Sequence, residues 1–156
     1  MQGARFKDKA ENDDSGKLKE IEDVESENGR IKGDLNERTK EFALNVISLY
    51  SQLPKGRREA QVIGDQLLRS GTSVGAHVRE AQRAKSNPDF INKLQGGMQE
   101  LEETMYWLEL LEGARLCLRE QLDPLKNEAN QLMAILVTIV RKTKSGMAET
   151  RGKDEN

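Results

Sequence analysis

Apolar residues recur three and four positions apart through four successive stretches of this chain, a spacing that suits a helix burying one face. Phe42, Val46, Leu49, Tyr50 and Leu53 make the first stripe, and Ile63, Leu67, Ser70, Val74, Val78 and Ala81 the second. Ile91, Leu94, Met98, Leu101, Met105 and Leu108 form the third, a strict a/d seam. Leu122, Leu125, Ala129, Leu132, Leu136 and Ile139 form the fourth. The joints are short. Pro54-Lys55-Gly56 ends the first stretch, because proline cannot continue the ladder and glycine permits a turn. Ser86-Asn87-Pro88-Asp89 opens the third with a cap residue, an early proline and a first-turn acid, and Gly113 is its expected stop. The pattern predicts an all-α fold, an antiparallel four-helix bundle over residues 36–145.

Two stretches test that pattern. Ser70-Gly71-Thr72-Ser73-Val74-Gly75-Ala76 is built of small residues, and each glycine costs a helix interior about 1 kcal/mol. The stripe stays in phase on both sides, which predicts one helix whose small residues let a neighbour approach closely. A break at a glycine-rich loop is the alternative, although the run lacks the spacing of a phosphate loop. Leu132 to Val140 is apolar on every side, which predicts more burial than a four-helix bundle gives. Self-association is the expectation drawn from it, with Ile135 and Val137 as outward positions; a buried strand is the alternative.

Composition narrows function. One cysteine excludes an internal disulfide and a thiolate zinc site, and one histidine excludes most metal sites. No nucleophile–base pair, metal set or cofactor motif stands out, so no catalytic residue, metal or cofactor is expected and the chain does not read as an enzyme. Met1 to Glu11 lacks the apolar run of a signal peptide, and no apolar run nears the ~20 residues that cross a bilayer. A cytoplasmic protein without membrane contact is the expectation. Residues 1–35, with ten acids and seven bases, read as a mostly disordered polar tail in which Leu18, Ile21, Ile31 and Leu35 mark a weak amphipathic pattern. Residues 146–156 read as a frayed polar tail.

The motifs go further than the periodicity. In order along the chain stand Leu53-Pro54-Lys55-Gly56, Gln66-Leu67-Leu68-Arg69-Ser70-Gly71-Thr72-Ser73-Val74-Gly75-Ala76, Glu80-Ala81 and Ser86. Asp89-Phe90, Lys93-Leu94, Glu100-Leu101, Glu103-Thr104 and Trp107-Leu108 follow. This string resembles the four-helix bundle family of proteins encoded in intervening sequences of bacterial 23S rRNA, which includes Avd, the accessory protein of diversity-generating retroelements. The resemblance spans residues 37 to 143; it departs at His77, where the family usually has asparagine. It implies a homopentameric ring of four-helix bundles. For the Avd branch it implies a basic surface that binds nucleic acid and association with a reverse transcriptase.

Charge is segregated in a way that fits such a surface. Residues 54–85 are net +4, residues 86–113 net −5, residues 114–145 net +3, and the bundle as a whole net +2, within a chain of net −2. At 100° per residue, Arg58, Arg69, Arg79 and Arg83 fall within roughly 80° of one another, opposite the apolar stripe. Guanidinium groups offer planar bidentate donors to phosphate. These four arginines are the candidate nucleic-acid-binding residues, with RNA or DNA backbone as the partner. No aromatic residue interleaves with them, so backbone contact and steep salt dependence are expected. The competing reading pairs them with nearby acids such as Glu80 and makes the chain a protein-only adaptor. Glu100 and Glu103, one turn apart, read as structural partners of His77 or Arg79. Ser70, Ser73 and His77 read as an inter-helix hydrogen-bond cluster, and Cys117, beside Arg115 and Arg119, as a small apolar filler.

Overall fold

The computed structural model describes residues 33–154. They form four helices: α1 (Gly33–Gln52), α2 (Arg58–Gln82), α3 (Asn87–Gly113) and α4 (Arg119–Asp154), with no strand among the described residues. Each helix packs on its neighbour in sequence, and α1 meets α4 to close the ring, so the bundle runs up, down, up, down. The α2–α3 contact is the most extensive and the α1–α4 contact the sparsest. All-α architecture and bundle topology are as the apolar spacing predicts. The expected tail of residues 1–32 lies outside the described residues, but Gly33, Asp34 and Leu35 open α1, and Leu35 is fully buried. At the other end α4 continues as helix to Asp154, past the expected edge at residue 145.

The stripes form the core. Phe42, Val46, Leu49, Leu53, Leu67, Val74, Val78, Leu94, Leu101, Leu108, Leu122, Leu132 and Leu136 are all buried. The small-residue stretch lies within an unbroken α2, as the in-phase stripe predicts, and three of its helix's glycines face α1. A Cβ on Gly64 would meet Leu53 Cδ1 at 2.5 Å; on Gly71, Val46 Cγ2 at 2.8 Å; on Gly75, Thr39 Oγ1 at 3.2 Å. Seven and four residues separate these positions, which puts them on one helix face. The Leu132–Val140 run is helical, and it departs from expectation at Ile135. Leu132, Ile135, Leu136, Ile139 and Val140 are buried within the single chain, while Ala134 is exposed and Val137 and Thr138 half-buried. Ile135, at 4% exposure, is an inward position. The outward arc of α4 carries Met133, Ala134, Val137 and Thr138, of which only Ala134 is exposed.

The ends and seams follow from local chemistry. Ser86 Oγ accepts the Asp89 N–H at 3.2 Å and Pro88 sits in the first turn, as expected for the α3 start. At the end of α3 the left-handed residue is Arg115 (φ 56°), not Gly113. The Leu116 N–H reaches the Leu111 carbonyl and the Arg115 N–H the Glu112 carbonyl, both at 2.9 Å, which makes a Schellman turn closed over two buried leucines. Arg38 of α1 grips Glu128 of α4 through Nε (2.8 Å) and Nη2 (3.1 Å), and its Nη2 also donates to Gln131 (2.7 Å). Glu112 of α3 accepts from Lys126 and from Arg119 Nε (2.9 Å) of α4. The Lys126 hydrogen bond first, then that of Arg119, holds the Glu112 carboxyl below the usual carboxylate range.

Gly71→Ala is expected to destabilise the protein by about 1–2 kcal/mol despite its gain in helix propensity, because the methyls it meets belong to a β-branched side chain held at one rotamer. Gly146→Ala, with nothing within 4 Å, should stabilise by up to about 1 kcal/mol; urea titrations of the two variants check the opposite signs. Arg115→Gly should stabilise by about 0.5–1 kcal/mol, the left-handed penalty of the arginine outweighing glycine's larger unfolded-state entropy. Glu112 favours the folded state above its ordinary value of 4.5, and that contribution is lost as pH falls through its lower folded value. Glu112→Gln should therefore lower Tm at neutral pH, with the gap to the parent protein closing on acidification.

Candidate nucleic-acid interface

The outward side of α2 is where helical periodicity places it. Arg58, Arg69, Arg79 and Arg83 are all exposed, with Val62, Asp65 and Ala76 between them. Arg58 opens the helix, Arg79 lies in its last turn, and Arg83 is the residue that caps it. Their electrostatic settings differ. Arg69 Nη1 lies 3.4 Å from both Glu100 carboxylate oxygens, and its Nη2 donates to Glu103. Glu103 also accepts from Trp107 Nε1 at 3.3 Å. The Glu103 hydrogen bond, first, and the charge of Glu100 push the Arg69 guanidinium further up, and Arg69 in turn holds the Glu103 carboxyl down. Arg69 is thus an α2–α3 brace whose planar donors are already engaged. Glu100 and Glu103 are structural acids as expected, but their partner is Arg69 rather than His77 or Arg79.

Arg58, Arg79 and Arg83 form no ion pair with any described residue. Glu80, the acid expected to quench such arginines, faces Lys93 at 3.8 Å and His77 at 3.9 Å instead. At ~1.5 Å rise per residue Arg58 lies some 31 Å from Arg79, whereas Arg79 and Arg83 are about one turn apart. The stripe therefore resolves into a lone Arg58 at one end of the bundle and a pair at the other.

That second end gathers further cations. In an up-down bundle the last turns of α2 and of α4 point the same way. The Lys85–Pro88 joint leads into α3, whose Pro88 and Ile91 share a cleft with Lys144, Met147, Ala148 and Arg151 of α4. Lys85, Arg141, Lys144 and Arg151 are exposed. Arg79, Arg83, Lys85, Lys144 and Arg151 thus occupy one end of the molecule. Lys85 and Arg151 were absent from the sequence-derived set; the topological signal for them was available, since even-numbered helices of such a bundle end together.

The remaining polar candidates are structural. The Ser70 and Thr104 hydroxyls meet at 2.9 Å across the buried α2–α3 contact. Ser73 instead donates to the Arg69 carbonyl of its own helix at 2.7 Å, so the inter-helix cluster expected of Ser70, Ser73 and His77 reduces to Ser70 and Thr104. His77 lies over Gly96, where a Cβ would come within 2.9 Å of Nδ1. Among the described residues that buried Nδ1 has no hydrogen-bond partner, and Glu80 at 3.9 Å is beyond hydrogen-bond reach. Burial pushes the Cys117 thiol up, which suits a packing residue and opposes a reactive thiolate. Among the described residues no group of three or more His, Cys, Asp or Glu side chains is placed to hold a metal ion, and no helix is long and apolar enough to cross a membrane.

Comparison with known proteins agrees with this architecture. The family model described as 23S rRNA-intervening sequence protein matches residues 33–138, which takes in α1, α2, α3 and α4 as far as Thr138. A crystal structure from Bacteroides thetaiotaomicron, described as a protein with unknown function from the S23 ribosomal protein family, is similar at 39% identity and a TM-score of 0.64. The match covers 69% of this chain and 95% of that one. No curated protein matches. With the family model matched over more than half of its length, the chain belongs to the 23S rRNA-intervening sequence protein family.

Proposed function

We propose that this protein is a non-enzymatic, homo-oligomeric bundle that binds the phosphate backbone of RNA or DNA through its basic end. The observation that carries the reading is the contrast among the α2 arginines. Arg79 and Arg83 are exposed and unpaired among the described residues, beside Lys85 and the α4 cations, while Arg69 is consumed by two glutamates. Unpaired guanidinium groups are open to phosphate oxygens, and releasing counterions from nucleic acid is favourable at low salt.

Support for oligomerisation comes from exposed apolar side chains on the first three helices rather than from the apolar run of α4. Leu44 and Ile47 on α1, Val62 on α2 and Tyr106 on α3 are large, apolar and exposed. A ring of subunits, five in the form the resemblance implies, would cover such residues and repeat the basic end around an axis. Contacts too weak singly would then add by avidity. The role we assign is that of an accessory to a nucleic-acid enzyme, a reverse transcriptase in the Avd-like case. A protein-only adaptor is the alternative that the test below separates.

Binding to duplex and single-stranded nucleic acid, followed across a salt series with mass read by light scattering, is expected to show steep salt dependence and little sequence preference. Arg79→Gln with Arg83→Gln should flatten the log–log salt slope by about two per engaged protomer, leaving helicity and mass unchanged. Arg69→Gln should lower thermal stability without flattening that slope. An oligomer that ignores nucleic acid at low salt would overturn the reading in favour of the adaptor.

A further inference from the structure

The cleft between the start of α3 and the far end of α4 has a volume of about 350 Å³. Ile91, Pro88, Met147 and Ala148 make its apolar lining, and Lys144 and Arg151 supply its two cations. It opens at the same end of the bundle as Gly33, where the chain's first 32 residues join α1. Within those residues, Leu18, Ile21 and Val24 stand three apart among five carboxylates, Glu20, Glu22, Asp23, Glu25 and Glu27. The α4 end they would meet carries Arg141, Lys142, Lys144, Arg151 and Lys153 against a single acid, Glu149, before Asp154.

Reach is compatible. The Arg38 contacts with Glu128 and Gln131 set the α1–α4 register. From Gln131 to Met147 α4 rises about 24 Å, and from Arg38 back to Gly33 α1 covers about 7.5 Å in the same direction, leaving about 16 Å along the axis. Adjacent helices add a lateral step of about 10 Å. Residues 25–32, fully extended, span up to about 26 Å.

We propose that residues 18–24 of this same chain dock in that cleft, with Leu18, Ile21 and Val24 against Ile91 and Met147 and the carboxylates of Glu20, Glu22 and Asp23 against Lys144 and Arg151. Apolar contact supplies the attraction at the floor, and opposite charge at the rim sets orientation. The docked segment would share Lys144 and Arg151 with the proposed nucleic-acid surface, but its test reads the surroundings of Met147 and not nucleic-acid binding, so the two can fail separately.

The full-length protein carrying Cys117→Ser and Ser26→Cys, spin-labelled at residue 26, tests it through the methyl signals of its methionines. The Met147 signal should be strongly broadened while that of Met105, toward the other end of α3, stays sharp. Ile21→Asp with Val24→Asp, added to the labelled chain, should restore the Met147 signal, with circular dichroism checking that the helices remain folded. A Met147 signal that stays sharp would overturn the proposal, as would broadening that the aspartates leave unchanged. Mixing spin-labelled chains lacking isotope with isotope-labelled chains lacking spin label is expected to leave Met147 sharp. Broadening confined to that mixture would assign the cleft to a second copy and overturn docking within one chain.

Discussion

The close approach of α1 to α2 governs the rest of the bundle. Three glycines on one face of α2 remove the side chains that would hold α1 away, and Val46, Leu53 and Thr39 fill the space. The turn of helix surface used for that contact is not available to any other neighbour. With α1 on the glycine face and α3 on the face of Leu67 and Ser70, the third side of α2 must look outward. The arginines are on that side because the two other sides are taken.

Ion pairs then set helix rotation at the contacts where apolar packing is less directional. Arg69 ties α2 to α3, Arg38 ties α1 to α4, and Glu112 ties α3 to α4. The Arg38–Glu128 pair keeps only 18% and 29% of its side-chain surface exposed and bridges the sparsest helix contact. Partial burial and bidentate geometry make such a pair more directional than an open surface contact. It fixes which face α4 turns to α1 and thereby which residues of the Leu132–Val140 run point inward.

Much of the fold was legible from spacing because helix burial is a local periodic property. The four stripes, the Ser86 cap and the in-phase small-residue stretch each follow from residues within a few turns of one another. What escaped depends on the relative rotation of helices. The nine-residue apolar run of α4 has no charged residue to mark its outward arc, so Ile135 read as outward when it faces the core. Arg69 and Glu103 are 34 positions apart, and nothing local to either names the other. Arg115 takes the left-handed position because the turn falls two residues after the glycine that best suits it. The candidate interface was half legible: periodicity put four arginines on one outward face, but only the tertiary structure separates the braced Arg69 from the open Arg79 and Arg83.

The overall acidity of the chain does not weigh against an anionic partner, because fields in salt water are local. At physiological ionic strength charges are screened over about 8 Å, close to the distance between neighbouring helix axes. The acids of α3 are in part spent on Arg69 and on the α4 cations, pairings that lower the charge they show to solvent. What a phosphate meets at the end of α2 is set by Arg79, Arg83, Lys85 and the projecting turns of α4, not by a net charge of −2. The proposed docking of the acidic stretch upstream of Gly33 follows the same local rule: that stretch joins α1 at the end of the bundle where Arg79, Arg83, Lys85, Lys144 and Arg151 gather.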